Sequence, residues 1–188
     1  IFYGGADNAH VTGGSGRDVL YGGSRDADLL GGGGIDSLFG ENGDNLLDGG
    51  DGNDELFGGF GADTLLGGAG NDTLFGGIGI EAGDSTLDGG EGDDRLYGSP
   101  GNHELTGGAG LDRFVFANDY DIVTRVEGEG GFVTVNTGTD VSNGQAGTNR
   151  IMDFTPGEDL LAHSVTDAML TQGSLLLDVA QATGNLGE

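Results

Sequence analysis

A nine-residue unit recurs along residues 4–115 of this chain, and it leaves very few folds open. Its consensus is Gly-Gly-x-Gly-x-Asp-x-apolar-x, where x is any residue. Every second copy keeps the aspartate at the sixth position, at intervals of eighteen residues with a single interval of 22. These aspartates are Asp18, Asp36, Asp54, Asp72, Asp94 and Asp112. Equivalent residues must therefore recur at a nearly constant interval in space as well as in sequence.

The eighth position of the unit is apolar in every copy. The series reads Val11, Leu20, Leu29, Leu38, Leu47, Leu56, Leu65, Leu74, Leu87, Leu96, Leu105 and Phe114. One inward residue between two outward residues indicates a short strand, whereas the glycines indicate a turn with positive φ angles. A helix is excluded, because each glycine costs about 1 kcal/mol relative to alanine. We predict that each unit makes half a turn of a coil, and that stacked coils form two parallel sheets around a thin leucine core.

The unit resembles the calcium-binding nonapeptide repeat of RTX proteins. This resemblance implies an all-β fold, a right-handed parallel β-roll (an RTX β-solenoid), over residues 1–115. A C-terminal β-rich capping region is expected over residues 116–188, because an open roll end leaves strand groups unpaired. Its candidate strands lie near 121–126, 131–136, 149–154, 158–163 and 174–180, with a loop insertion at 127–148.

Two phrases of the tail carry a second resemblance. The words GLDRFVF (110–116) and RIMDFTPGEDLLAHS (150–164) are similar to the end of RTX regions in serralysin-like proteases and mannuronan epimerases. In those families a turn similar to Asp-Phe-Thr-Pro-Gly-Glu-Asp (153–159) leads into a closing strand. The resemblance implies the same closing role here.

The RTX resemblance also implies a ligand scheme for Ca²⁺. Each ion would lie between two stacked turns, where six oxygens suit calcium. The lower turn would give carbonyls from its second and fourth positions, the upper turn from its first and third, and both their aspartates. The implied metal ligands are Gly14, Gly16, Asp18, Gly31, Gly32, Gly33, Gly34, Asp36, Gly49, Gly50, Asp51, Gly52, Asp54, Gly67, Gly68, Ala69, Gly70, Asp72, Gly89, Gly90, Glu91, Gly92, Asp94, Gly107, Ala109 and Asp112.

The two edges of the coil differ at the sixth position. We call the edge with the six aspartates the strong edge. The sixth positions of the other, weak edge are Ala9, Ala27, Asn45, Asp63, Ser85 and His103. We therefore predict about five ions on the strong edge and one or two on the weak edge, near Asn45 and Asp63. The interval of 22 arises from four extra residues in a weak-edge turn, 76–85, so the strong edge should stay in register.

The composition agrees with calcium and disfavours several partners. The chain has 44 glycines and 32 acidic residues against six arginines, and its formal net charge is −26. Nucleic acid and anionic membranes require basic groups, so neither is an expected partner. Hard cations prefer carboxylate and carbonyl oxygen. Because cysteine is absent, bound calcium would have to stabilise the chain where a disulfide cannot. No apolar run approaches the ~20 residues of a membrane span.

Catalysis is not expected from this chain. It contains no His-Glu-x-x-His and no Gly-x-Ser-x-Gly motif, so any catalytic domain would lie outside it. His10, His103 and His163 show no metal-ligand spacing, and we predict His103 to be a surface turn residue. The chain begins at Ile1 rather than Met, which predicts that it is a piece of a longer protein.

The ninth position of the strands that follow the strong edge carries a row of aromatic residues. The row reads Tyr21, Phe39, Phe57, Phe75, Tyr97 and Val115. These side chains should point outward and stack along one face. They could bind a polysaccharide or a protein partner. The favoured interpretation is that another part of the protein covers them or that they stack across strands.

The predicted function is a calcium-binding RTX module of a secreted or cell-surface bacterial protein. The resemblance implies passage through a type I secretion exporter in unfolded form, followed by folding in extracellular calcium. Two alternatives stay open. One is a binding module of an RTX adhesin or surface-layer protein, and the other is an accessory C-terminal region of a secreted protease, lipase or epimerase.

Overall fold

A computed structural model describes residues 1–77, 83–98, 102–116, 121–126, 133–137, 147–151 and 160–163. The regular secondary structure of these residues consists entirely of β-strands. They are β1 (Phe2–Tyr3), β2 (Ala9–Ser15), β3 (Val19–Gly23), β4 (Ala27–Gly33), β5 (Ser37–Asn42), β6 (Leu46–Asp51), β7 (Glu55–Phe60), β8 (Thr64–Ala69), β9 (Thr73–Phe75), β10 (Thr86–Glu91), β11 (Arg95–Gly98), β12 (Glu104–Ala109), β13 (Arg113–Phe116), β14 (Asp121–Val126), β15 (Val133–Thr137), β16 (Gly147–Ile151) and β17 (Leu160–His163). Within this part of the chain no helix has the length and apolarity to cross a membrane.

Successive strands alternate between two sheets, as the repeat predicts. One sheet has the order β1-β3-β5-β7-β9-β11-β13-β17, and the other contains β12-β10-β8-β6-β4-β2. All pairs from β1 to β13 are parallel. Partners are eighteen residues apart, such as Leu38 with Leu56, except across the insertion, where they are 22 apart. The predicted parallel β-roll is therefore confirmed.

The extra residues between Asp72 and Asp94 leave the register intact on both sides. Leu65 pairs with Leu87 in one sheet, and Leu74 pairs with Leu96 in the other. The insertion thus stays in its turn, as predicted, although residues 78–82 of that turn lie outside the described ones.

The core is one column of eighth-position side chains between the two sheets. Leu29 to Leu105 are each 0 % exposed in this column, and Phe114 closes it at the C-terminal end. One leucine per nine residues gives a thin core, because glycines occupy most of the remaining positions. Hydrogen bonding within and between the turns must then contribute a large share of the stability.

The tail continues both sheets beyond the repeats. β17 pairs in parallel with β13, and β16 pairs in parallel with β12. β14, β15 and β16 form an antiparallel meander at the end of the second sheet. Four of the five predicted tail strands are thereby found, and the fifth, 174–180, lies outside the described residues. Most of the predicted loop insertion at 127–148 lies outside them as well.

Candidate metal centres

Each strong-edge turn has the same backbone shape, which its glycines permit. Before Asp54, the φ angles of Gly50 and Gly52 are 95° and 145°, values that L-residues rarely adopt. The second-position glycines 14, 32, 50, 68, 90 and 108 and the fourth-position glycines 16, 34, 52, 70, 92 and 110 all share positive φ. On the weak edge, the second position of one turn is Glu41, the one residue other than glycine with positive φ (69°) among those that the structure describes.

One oxygen of each strong-edge carboxylate is used to join neighbouring coils. The backbone N–H of Asp36 donates to Oδ1 of Asp54 at 2.8 Å, and the N–H of Asp54 donates to Oδ1 of Asp72 at 2.7 Å. The same bond joins Asp18 to Asp36, Asp72 to Asp94 and Asp94 to Asp112. The aspartates thus form a continuous ladder, which holds the carboxylates from Asp36 to Asp112 in a fixed orientation.

The other carboxylate oxygen, Oδ2, is buried and accepts no hydrogen bond from the residues that the structure describes. This holds on the strong edge for Asp36, Asp54, Asp72 and Asp94, and on the weak edge for Asp63. A buried polar atom without a partner is costly and requires an explanation.

The surroundings of Oδ2 show what is missing. A Cβ built on Gly49 would stand 2.5 Å from Oδ2 of Asp54 and 2.6 Å from the carbonyl oxygen of Gly67. A Cβ built on Gly31 would stand 2.5 Å from Oδ2 of Asp36 and 2.6 Å from the carbonyl oxygen of Gly49. A carboxylate oxygen of one coil and a carbonyl oxygen of the next coil therefore lie close together beside each of these glycines. This oxygen chemistry fits a bound Ca²⁺.

Burial of these carboxylates raises their pKa. The pKa of Asp72 and of Asp94 rises to about 6, chiefly through desolvation. The hydrogen bond from the preceding aspartate N–H lowers each pKa in part, and the charge of that aspartate raises it again. The pKa of Asp54 is raised for the same reasons. A cation beside Oδ2 would oppose all of these unfavourable effects of burial and charge.

The carbonyls of the third position already accept one hydrogen bond each. The fourth-position N–H of the coil below donates to them, as Gly34 does to Asp51 and Gly52 to Ala69, both at 2.7 Å. Gly33, Glu91 and Ala109 accept the equivalent bond. Because a carbonyl oxygen has two lone pairs, one pair stays available for a cation.

Backbone carbonyls have to supply much of any ligand set. No group of three or more acidic or histidine side chains with metal-binding geometry occurs among the described residues. The structure instead brings together the first-position carbonyls, the glycine-rich turns and one carboxylate oxygen per coil. The ligand set that the RTX resemblance implies for the strong edge stays a prediction.

The weak edge is built from different side chains at the same position. Ala27, Asn45, Asp63, Ser85 and His103 are all buried there. The prediction that His103 is a surface turn residue is wrong, because the side chain is 1 % exposed and its Nδ1 accepts the N–H of Ser85. The sixth position turns inward on both edges, and this placement overrides the usual preference of a turn histidine for solvent.

A second side-chain ladder was not foreseen from the sequence. At the fifth position, Oδ1 of Asn53 accepts the N–H of Asn71, and Oδ1 of Asn71 accepts the N–H of Asp93, both at 2.9 Å. On the weak edge Asp26, Asp44 and Asp84 accept N–H groups of the next coil in the same way. The interval of eighteen residues between Asp26 and Asp44 was the available signal in the sequence. Their carboxylates bind backbone N–H groups of the turns.

The predicted aromatic row is a stacked column. Phe39 and Phe57 have ring centroids 4.9 Å apart with an interplanar angle of 3°, and the values for Phe57 and Phe75 are 4.7 Å and 1°. Tyr21 and Tyr97 continue the column, and Tyr3 extends it at one end, a member that the repeat register had not included. The ring faces cover one another, so stacking across strands is the interpretation that the structure supports.

Comparison with known proteins agrees with this geometry. The family model of the RTX calcium-binding nonapeptide repeat matches residues 2–24, 30–65, 48–80, 81–102 and 88–123, which is more than half of the chain. No curated protein matches the sequence. The family match ends at residue 123, so the resemblance of the tail to proteases and epimerases stays a prediction. The repeats, the parallel roll and the converging oxygens together show that the chain belongs to the RTX calcium-binding nonapeptide repeat family, and that it is a Ca²⁺-binding β-roll module.

Proposed function

We propose that calcium folds this roll by occupying the steps of the strong edge. The observation that carries the proposal is the row of Oδ2 atoms on Asp36, Asp54, Asp72 and Asp94, which are buried without a hydrogen bond from the described residues. Without a cation, folding would bring these charges close together in a low-dielectric site. Such burial is strongly unfavourable unless the charge is neutralised.

The ions would lie at five steps, between the pairs 18/36, 36/54, 54/72, 72/94 and 94/112. At the second step, Gly32, Gly34 and Asp36 would act with Gly49, Asp51 and Asp54. The first step would use the carbonyls of residues 14, 16, 31 and 33. The later steps would use the carbonyls of residues 50, 52, 67 and 69, then 68, 70, 89 and 91, then 90, 92, 107 and 109. Six oxygens in a turn of this size suit Ca²⁺ better than Mg²⁺, which demands a smaller octahedral site.

On the weak edge the proposed ligand is Asp63. Its Oδ2 is buried without a hydrogen bond from the described residues, and burial raises its pKa to about 6. It lies beside Gly58, where a built Cβ would also stand 2.8 Å from the carbonyl oxygen of Gly76. This edge therefore offers at most one position like those of the strong edge.

The proposed organisation has two parts. Residues 1–115 form the calcium-dependent roll, and residues 116–188 form its cap. The parallel pairing of β17 with β13 and of β16 with β12 supports this division, because it covers the end of each sheet. An uncovered end would expose strand edges and the phenyl ring that closes the core.

The biological setting is a secreted or cell-surface bacterial protein. Extracellular calcium modules bind with dissociation constants of about 10⁻⁴–10⁻³ M. Cytosolic calcium would then leave the chain unfolded for a type I exporter, and extracellular calcium would fold it. In this account the roll stabilises the protein that carries it, and any catalytic activity belongs to another domain. The family membership and the net charge of −26 support the account.

The ions can be located by diffraction. Crystals grown in calcium should give anomalous difference density at the five strong-edge steps, each peak beside an aspartate Oδ2 and the next first-position carbonyl. The weak edge should give at most one peak, beside Oδ2 of Asp63 and the carbonyl oxygen of Gly76. Absence of density along the strong edge, or equal density along both edges, would contradict the proposal.

A further inference from the structure

Asn45 occupies, on the weak edge, the place that an aspartate occupies on the strong edge. It is 3 % exposed, and its backbone N–H donates to Oδ1 of Asp63 at 2.9 Å. The N–H of Ala27 in turn donates to Oδ1 of Asn45 at 2.9 Å. The backbone N–H and Oδ1 of Asn45 thus make the same hydrogen bonds as an aspartate of the ladder. The side chain differs only in having Nδ2 where an aspartate has Oδ2.

The orientation of the Asn45 amide follows from these bonds. The Ala27 N–H needs an acceptor, so the oxygen must face it and the nitrogen must take the other place. A Cβ built on Gly40 would stand 2.7 Å from Nδ2 of Asn45, and one built on Gly49 would stand 2.5 Å from Oδ2 of Asp54. The amide nitrogen therefore lies where the strong edge has its unpartnered carboxylate oxygen.

The two N–H groups of this nitrogen have acceptors. Nδ2 donates to the carbonyl oxygen of Gly43 at 3.0 Å and to Oδ1 of Asp63 at 2.9 Å. Gly43 holds the fourth position of its turn, whose carbonyl is a proposed calcium ligand on the strong edge. A donor thus engages the oxygens that a cation would otherwise bind.

Ser85, the sixth-position residue two weak-edge turns after Asn45, behaves similarly. Oγ of Ser85 accepts the N–H of Asp63 at 3.1 Å and donates to the carbonyl oxygen of Gly76 at 3.0 Å. The N–H of Ser85 donates to Nδ1 of His103 at 3.2 Å. Neutral side chains therefore link the coils on this edge through hydrogen bonds.

We infer that the amide of Asn45 replaces calcium at the step between Asn45 and Asp63, so that this step of the roll closes without a cation. The inference rests on the proposed function, because it assumes ions on the strong edge. It revises the expectation that Asn45 supplies an oxygen to an ion, since its oxygen faces Ala27 and its nitrogen faces the other ligands. A positive ion beside two amide N–H groups would be repelled by them.

A reciprocal pair of substitutions tests the inference. Asn45→Asp replaces the donor with an oxygen and should add one bound Ca²⁺ per chain at saturating calcium. Asp54→Asn makes the opposite change at the same position of the strong edge and should remove one ion, because Oδ1 keeps its role in the ladder. Bound calcium is counted by equilibrium dialysis, with circular dichroism to establish that each variant is folded.

The wild-type crystal gives a test that needs no variant. Anomalous density between Gly43 and Asp63, with the strong edge also occupied, would overturn this inference alone, as would a folded Asn45→Asp protein that binds the same number of ions as wild type. An empty strong edge would instead contradict the proposed function. Density on the strong edge with none at the Asn45 step is the expected result.

Discussion

At the scale of single residues, glycine is required at the first position of the turn because oxygens lie close to it on two sides. Beside Gly49 there is no room for a methyl group, because Oδ2 of Asp54 and the carbonyl of Gly67 lie within about 2.6 Å of it. The third position is different, since Gly33 has nothing within 4 Å of a built Cβ, and alanine already stands there as Ala69 and Ala109. Position within the turn, rather than glycine content, decides which substitutions are tolerated.

Gly49→Ala should accordingly destabilise the folded protein, and Gly33→Ala should not. The added methyl group displaces two oxygens at a strong-edge step, and overpacking of this kind costs about 1–3 kcal/mol. Urea unfolding in saturating calcium measures the difference, and a calcium titration should show a higher midpoint for Gly49→Ala. Equal stability of the two variants would mean that the oxygens do not converge on this glycine.

At the scale of the edge, we expect the two rows of turns to depend on calcium to different degrees. In the proposed scheme Asp54 serves two strong-edge steps. Its Oδ1 accepts the N–H of Asp36, and its buried Oδ2 is left for the next step. Asp63 has its Oδ1 occupied by the N–H and the amide of Asn45. Its contribution to the ladder is therefore made largely without an ion.

Asp54→Ala should raise the calcium midpoint of folding by about tenfold, which corresponds to about 1.4 kcal/mol for each ion that binds on folding. Asp63→Ala should shift the midpoint little, while lowering stability at saturating calcium because it leaves the Asn45 N–H groups without their acceptor. Calcium titrations followed by circular dichroism compare the two variants. A midpoint shift of the same size in both would refute the distinction between the edges.

Much of this element-scale structure could be predicted from the sequence, because a repeat fixes register. The strand positions, the leucine column and the unequal edges all follow from an interval of eighteen residues, and the insertion moved nothing outside its turn. The orientation of Asn45 and the burial of His103 could not be predicted. Both depend on which backbone N–H of the preceding coil faces the side chain, and that becomes known only once the coils are stacked.

At the scale of the whole molecule, 32 acidic residues oppose folding until their charge is compensated. Protons can compensate part of it. The pKa of Asp63, Asp72 and Asp94 in the metal-free fold is about 6, against an ordinary value of 3.8. At a pH between these two pKa values, the folded chain binds more protons than the unfolded chain. The resulting stabilisation is complete below the ordinary pKa and is lost as the pH rises through about 6.

The metal-free chain should therefore gain β structure when the pH falls from about 7.5 to about 4.5. In calcium the trend reverses, since protons compete for the same oxygens and the calcium midpoint should rise below about pH 6. Both titrations should be done in about 1 M salt, because salt screens repulsion between exposed charges much more than repulsion between buried ones. A metal-free chain with the same circular dichroism at both pH values would contradict the assignment of buried, cation-dependent carboxylates.

The most direct test of the account is whether calcium folds the chain. The protein in excess chelator at neutral pH should give the circular dichroism spectrum of a disordered chain. It should convert cooperatively to a β spectrum at millimolar calcium, as the affinity of about 10⁻⁴–10⁻³ M for such modules implies, and magnesium at the same concentration should not substitute. A full β spectrum in excess chelator, unchanged by calcium, would contradict the claim that the cation holds these coils together.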